Sequence, residues 1–149
     1  MADYWYKSKN EEDRTIITLH SSIGSSNGIG VVLALWGVDA NHRILQGFEI
    51  NGYQGKGLSY ALLLLSIKET MKHPPVMVIE IPDANEELIP VLRKLSYSES
   101  GYVKQHGKEK AKFTINNPQQ ALAALHNKCT LKSIALIPYP RSNDKCVIL

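Results

Sequence analysis

The stretch YQGKGLSY, Tyr53 to Tyr60, constrains this chain more than any other segment. Two glycines and a lysine stand directly ahead of ALLLLSIKETM, the strongest helical segment of the sequence. Glycine weakens a helix and is kept where the backbone must turn unusually or approach something closely. One apolar run precedes the glycines (Ile44 to Ile50) and another follows them (Leu58 to Met71), so they mark the junction of a strand and a helix. A chain built around such a junction belongs to the α/β class, of α+β type once the hairpins below are counted.

The flanking segments agree. TIITLH (Thr15 to His20) is β-branched and reads as a strand. A Gly/Ser/Asn loop leads into IGVVLALWGV (Ile29 to Val38), a continuous apolar run that suits a central strand buried on both faces. RILQGFEI (Arg43 to Ile50) is the next strand. The helix from Leu58 to about Lys72 is apolar on most sides and should lie buried against a sheet; HPP (His73 to Pro75) ends it. VMVIEI (Val76 to Ile81) predicts a strand. PDANEELIPVLRKL predicts a helix with Asp83 or Asn85 near its start, Glu86 and Glu87 in its first turn, and a kink or restart at Pro90. Tyr97 to Gln105 and Lys110 to Ile115 flank the turn HGKE as a hairpin. A helix from Asn117-Pro118 through His126 and one more strand in the tail complete the expected order. Residues 1–13 read as a polar segment whose aromatic cluster, Tyr4-Trp5-Tyr6, caps the core. No repeat and no linker interrupts the chain, which predicts one domain over residues 1–149.

Composition narrows the function. The 149 residues and their 44% apolar content suffice for one globular core. Seventeen basic against fourteen acidic residues give +3, too mild to call for nucleic acid. No window approaches the ~20 apolar residues of a membrane span, and MADYWYKSKNEED lacks the apolar centre of a signal peptide. Cys129 and Cys146 are too few for a disulfide framework or a zinc site, and the histidines share no ligand spacing. A cytoplasmic protein with free thiols and no metal is the expectation.

A strand, a glycine turn and a helix N-terminus together make an anion site, because the first helical N–H groups lack internal partners and carry the positive end of the dipole. Lys56 adds charge at the rim. The alternative is a tight turn that only packs helix on strand. The pattern is not that of a P-loop, since the run ends in Gly-Leu-Ser with no lysine after Gly57, nor that of GxGxxG, since Tyr60 stands in the place of the third glycine.

The stretch resembles the signature of the GNAT acetyltransferase superfamily, with Gln54, Gly55-Lys56, Gly57, Leu58 and Ser59 in the signature positions and Ser59 replacing the last small residue. NEELIPVLRKLSY, from Asn85 to Tyr97, resembles the family's Asn-led helix. The match spans about residues 43–115, leaving 116–149 as a C-terminal extension. It implies a mixed, twisted sheet with flanking helices and a shortened N-terminal helical part, because only about forty residues precede the expected fourth strand. It also implies acetyl-coenzyme A as co-substrate. The backbone of Gln54, Gly55, Lys56, Gly57, Leu58 and Ser59 would hold the pyrophosphate, Asn85 would belong to the same site, and strands closing at Ile50 and Ile81 would splay around pantetheine. An amine would attack the thioester directly.

Two departures qualify that expectation. The position of the family's proton-donating tyrosine is Leu92, and Tyr97 falls where a core phenylalanine is usual. Glu49 and Glu80, carboxylates in apolar strands, are the candidate bases, each weighed against an outward-facing surface role. The short N-terminus leaves an open acceptor cleft, suited to a protein amine or closed by a second subunit. A rival expectation is a GNAT-fold protein that binds acyl-coenzyme A or a protein partner without transfer. Finally, Cys146-Val-Ile-Leu has the form of a prenylation box, which would bring the chain to a membrane; a terminal strand with a buried cysteine is the alternative.

Overall fold

The computed structural model describes residues 2–11, 14–24, 30–36, 42–50, 57–72, 78–84, 86 and 88–140; within these, the side chains at 30–36, 42, 46–50, 83 and 105 are outside the description. In chain order the elements are β1 (Ala2–Asn10), β2 (Arg14–His20), β3 (Gly30–Trp36), β4 (His42–Ile50), α1 (Leu58–Thr70), β5 (Val78–Ala84), α2 (Ile89–Lys94), β6 (Ser98–Gln105), β7 (Lys108–Ile115), α3 (Pro118–Leu131) and β8 (Ile134–Pro138). The strands form one eight-stranded sheet in the order β6-β7-β5-β4-β3-β2-β1-β8.

Side-chain alternation sets the layers. Thr15, Ile17 and Leu19 of β2 are buried while Ile16 and Thr18 are half-exposed. The same pattern runs through Leu45 against Ile44, Ile79 and Ile81 against Glu80, and Phe113 and Ile115 against Thr114. Register aligns these positions across strands, as in Arg43↔Ile79 and Ile79↔Ile115. The buried set shares one core with α1, with Leu88 to Leu92 around α2, and with Ala121, Leu125 and Cys129 of α3. All three helices therefore lie on the same face of the sheet. No described element covers the opposite face.

The apolar girth of α1 follows from this position. It packs on the strands below and on α3 alongside, and between Leu58 and Thr70 only Lys68 is exposed. Its two buried hydroxyls are satisfied within the helix: Ser66 donates to the Leu62 carbonyl at 2.6 Å and Thr70 to that of Ile67 at 2.8 Å. Each fully buried leucine contributes about 1.5–3 kcal/mol, so this helix is a principal anchor of the fold.

Several boundaries differ from the sequence expectation. The polar N-terminus is a strand, β1, paired antiparallel with β2 and parallel with β8. Three strands and no described helix thus precede β4. Residues 82–84 continue β5, held by Ala84↔Ala111, and the helix begins only at Ile89 with Pro90 in its first turn, where the missing N–H costs nothing. The hairpin turn is two residues rather than four: His106 and Gly107 both have positive φ (51° and 77°), as a twist-matched hairpin requires. Asn117 caps α3 by accepting from the Gln120 N–H at 3.1 Å, and the helix runs past His126 to Leu131 because Cys129 extends its buried stripe.

Candidate functional site

Between β4 and β5 the sheet comes apart. The two strands run parallel and pair as His42↔Val78, Arg43↔Ile79 and Ile44↔Glu80. Among the described residues no pairing joins them beyond that point, although β4 continues to Ile50 and β5 to Ala84. Each keeps its outer neighbour, through Ile50↔Gly30 and Ala84↔Ala111. Each also gains an extra residue where the gap opens: β4 around Gly47, between the pairs Leu33↔Gln46 and Val31↔Glu49, and β5 at Pro82-Asp83, between Ile81↔Phe113 and Ala84↔Ala111. Bulges bend and twist a strand, and glycine and proline are the residues that tolerate them. The two inner edges then present main-chain groups without a ladder partner, which an extended ligand can use as a further strand would.

At the same end of the sheet stands the N-terminus of α1. Gly57 caps it in the left-handed region, φ 78°, and its carbonyl accepts from Tyr60 N at 3.1 Å and Ala61 N at 3.4 Å. Gly57 has no side chain to cap with, and the first turn carries no acidic residue. The N–H groups of Leu58 and Ser59 are therefore without a partner among the described residues, at the positive end of the helix. Leu58 is 2% exposed and pins the turn to the core; Ser59 is half-buried. A Cβ on Gly57 would lie 2.9 Å from Cγ of Lys132. The far end of α3 thus packs on the first turn of α1 and brings a lysine stem to it. Nothing local in the sequence relates these two residues.

The other expected site residues fall as follows. Gln54, Gly55, Lys56, Asn85 and Cys146 lie outside the described residues. Ile50 ends β4 opposite Gly30, and Glu49 stands opposite Val31, both located by backbone alone. Glu80 occupies the last pair before the strands separate, at the apex of the gap, where it is half-buried and ion-paired with Lys112. Leu92 is fully buried and offers no proton. Tyr97 packs against the core with its hydroxyl buried and unpartnered among the described residues, and burial pushes its pKa up to about 12. It lines a cavity of about 350 Å³ with Thr114, Asn117 and Gln120. That cavity adjoins Ile115, which pairs with Ile79 near the start of β5, so it lies at the opposite end of that strand from the gap.

One buried polar residue carried no signal in the sequence. His20 is 1% exposed, with Nε2 3.0 Å from the Thr18 hydroxyl and its ring against Tyr139 at 5.1 Å. Burial, and secondly the charge of Lys7, lower its pKa from the ordinary 6.5. Among the described residues no cluster of three or more His, Cys, Asp or Glu could hold a metal ion, and no helix is long and apolar enough to cross a membrane.

A mixed sheet that parts between two parallel strands, beside the N-terminus of the helix joining them, gives the chain a GNAT-like fold, the fold of the GNAT acetyltransferases. Solved structures that share it include a CoA-dependent acyl-homoserine lactone synthase, BjaI, with SAM and isopentyl-CoA (TM-score 0.61, 8% identity, covering 94% of this chain and 76% of that one). The aminoglycoside acetyltransferase AAC(6')-Ib in complex with coenzyme A is similar over 76% of this chain and 70% of its own (TM-score 0.51, 17% identity). An uncharacterised protein from Bacillus halodurans is similar over 83% and 68% (TM-score 0.55, 14% identity). No protein-family model and no curated protein matches the sequence.

Proposed function

We propose that this chain is an acyl-coenzyme A-dependent N-acyltransferase that uses acetyl-coenzyme A as donor. The observation that carries the reading is the pair of bulged, separating strands beside the uncapped N-terminus of α1. That AAC(6')-Ib, which shares the fold, was solved with coenzyme A supports it. The N–H groups of Leu58 and Ser59, the Ser59 hydroxyl and the turn from Gln54 to Gly57 would bind the pyrophosphate, with Lys56 at the rim and Asn85 in the same site. The free edges of β4, as far as Ile50, and of β5 would hold the pantetheine arm. The amine nitrogen attacks the thioester carbonyl: a C–N bond forms, the C–S bond breaks, and coenzyme A leaves as thiolate. The proton lost by the amine passes to a carboxylate, for which Glu80 at the apex and Glu49 on β4 are the candidates. With Leu92 in the core, no side chain at that position protonates the thiolate, which slows the reaction without forbidding it.

Calorimetric titration of coenzyme A and acetyl-coenzyme A into the wild type and a Ser59→Glu variant tests the binding step. Glutamate in the first turn suits the helix dipole but repels phosphate, so the expected result is a binding loss of about tenfold or more with an unchanged melting temperature. A wild type that binds neither ligand sinks the reading.

The buried Leu92 favours a second reading, a GNAT-fold protein that binds acyl-coenzyme A and does not transfer it. Normal binding with no turnover across a broad panel of amines and peptides would establish that one.

A further inference from the structure

We propose that the helix-free face of the sheet docks an acidic polypeptide segment and that this segment carries the acceptor amine. The word acceptor rests on the transfer reading above; the docking itself rests on the surface. Register places Arg14, Leu35, Ile44, Glu80 and Thr114 in one row across five strands, on the side away from the helices. Along β7, Lys108, Lys110 and Lys112 alternate with the buried Ala111, Phe113 and Ile115 and so share the side of Thr114. On the other flank, Lys7↔Thr18 and Lys9↔Ile16 put two more lysines on that same side. The face is therefore margined by five lysines in two rows. Against them stand Asp3, Glu49, which register places in the row of Lys7, Thr18 and Val31, and Glu80, which Lys112 already neutralises. Among the described residues Lys9, Lys108 and Lys110 have no acidic partner, and the Lys7 ammonium lies over the Tyr139 ring, 4.7 Å from its centroid.

The dimensions define the occupant. From β7 to β1 there are five strand-to-strand steps in the sheet order, a span of about 24 Å where β4 and β5 pair and wider where they part. An extended polypeptide covers that in roughly seven residues. Between the lysine rows the floor holds half-exposed Ile16, Thr18, Ile44 and Thr114, together with the ion-paired Arg14 and Glu80. The split between β4 and β5 opens off-centre in this floor, about 7 Å from β7 and about 17 Å from β1, with Glu80 at its apex. A segment with acidic side chains about two residues to one side of the amine and about five residues to the other meets lysines at both ends while presenting the amine at the gap. Nucleic acid fits less well, because its phosphates call for a continuous basic track rather than two rows separated by a floor that carries Glu49 and Glu80. The chain's own terminal residues, with Arg141 and Lys145 against Asp144, carry the wrong sign.

The test uses fluorescence anisotropy with a labelled peptide of sequence Glu-Glu-Ser-Lys-Ser-Ser-Ser-Glu-Glu, its counterpart with Gln at every Glu, and a nine-nucleotide oligothymidylate. Each is titrated into the wild type and into the Lys9→Glu/Lys108→Glu/Lys110→Glu variant, and coenzyme A binding and melting temperature are measured on both chains. The acidic peptide is expected to bind about tenfold or more tighter than the neutral one, to weaken with added salt, and to lose about tenfold in the variant. Coenzyme A affinity should not change. Equal binding of acidic and neutral peptides, undiminished binding by the variant, or tighter binding of the oligonucleotide each overturns the proposal. Should the variant melt early, the Lys9→Ala/Lys108→Ala/Lys110→Ala chain, which introduces no charge, supplies the same comparison. If the peptide behaves as expected while the wild type fails to bind coenzyme A, the transfer reading falls and the docking face stands.

Discussion

Replacing Gly57 by alanine loads the hinge between the split strands and α1 with a Cβ. At φ 78° the residue lies in the left-handed region, where a non-glycine side chain costs about 1–2 kcal/mol. The new methyl would stand 2.9 Å from Cγ of Lys132, inside the 3.5–4.0 Å of a good carbon–carbon contact. The lysine stem is flexible and can swing away, so this second cost should stay below about 1 kcal/mol. Lower entropy of the unfolded chain offsets about 0.4–1 kcal/mol. The net expectation is a loss of about 1–2 kcal/mol, or roughly 2–8 °C in melting temperature for a chain of this size. Urea unfolding followed by circular dichroism measures it, with an unchanged m-value as the control for two-state behaviour. The Gly57→Ala/Lys132→Ala double variant should recover the part due to the close contact and keep the part due to φ. Stability within about 0.3 kcal/mol of the wild type in Gly57→Ala itself would refute the left-handed hinge and, with it, the reason for glycine at this position.

Three further outcomes are expected. His20 has a folded-state pKa below its unfolded value, so its neutral form supports the fold above the ordinary 6.5 and that support is lost as pH falls through the folded value. Unfolding free energy should therefore drop as pH falls below the ordinary 6.5, and drop less in His20→Phe; parallel pH profiles would rule this out. Burial pushes the Cys129 thiol up to about 11, so in a Cys146→Ser background a thiol reagent at about pH 8 should label nothing until urea is added. Rapid labelling of the native chain would contradict the packing of α3. In the transfer reading, Glu80→Gln should keep acetyl-coenzyme A affinity while kcat falls by about 10²-fold; an unchanged kcat would leave Glu49 as the carboxylate to test.

What was legible in the sequence was local. The start of α1 at Leu58, the strands around Thr15, Arg43 and Val78, and the glycine at the helix mouth all follow from apolar periodicity and from backbone punctuation within a few residues. Three of the expected cofactor residues, Gly57, Leu58 and Ser59, stand at that helix start, whereas Glu49 and Ile50 are fixed by backbone alone. Other features had no local signature. ADYWYKSKN reads as polar surface, and only pairing with β2 and β8 makes it a strand. Pro82 to Ala84 look like a helix start, yet the ladder to β7 keeps them extended and delays α2 to Ile89. The approach of Lys132 to Gly57, the Glu80–Lys112 pair and the two lysine rows arise because one chain of eight strands can order them in only a few ways. A local window records what each segment prefers by itself. Which edges meet, where two strands must part and which charges end up side by side depend on contacts made far apart in sequence, and the free energy of closing the whole sheet over one core decides them.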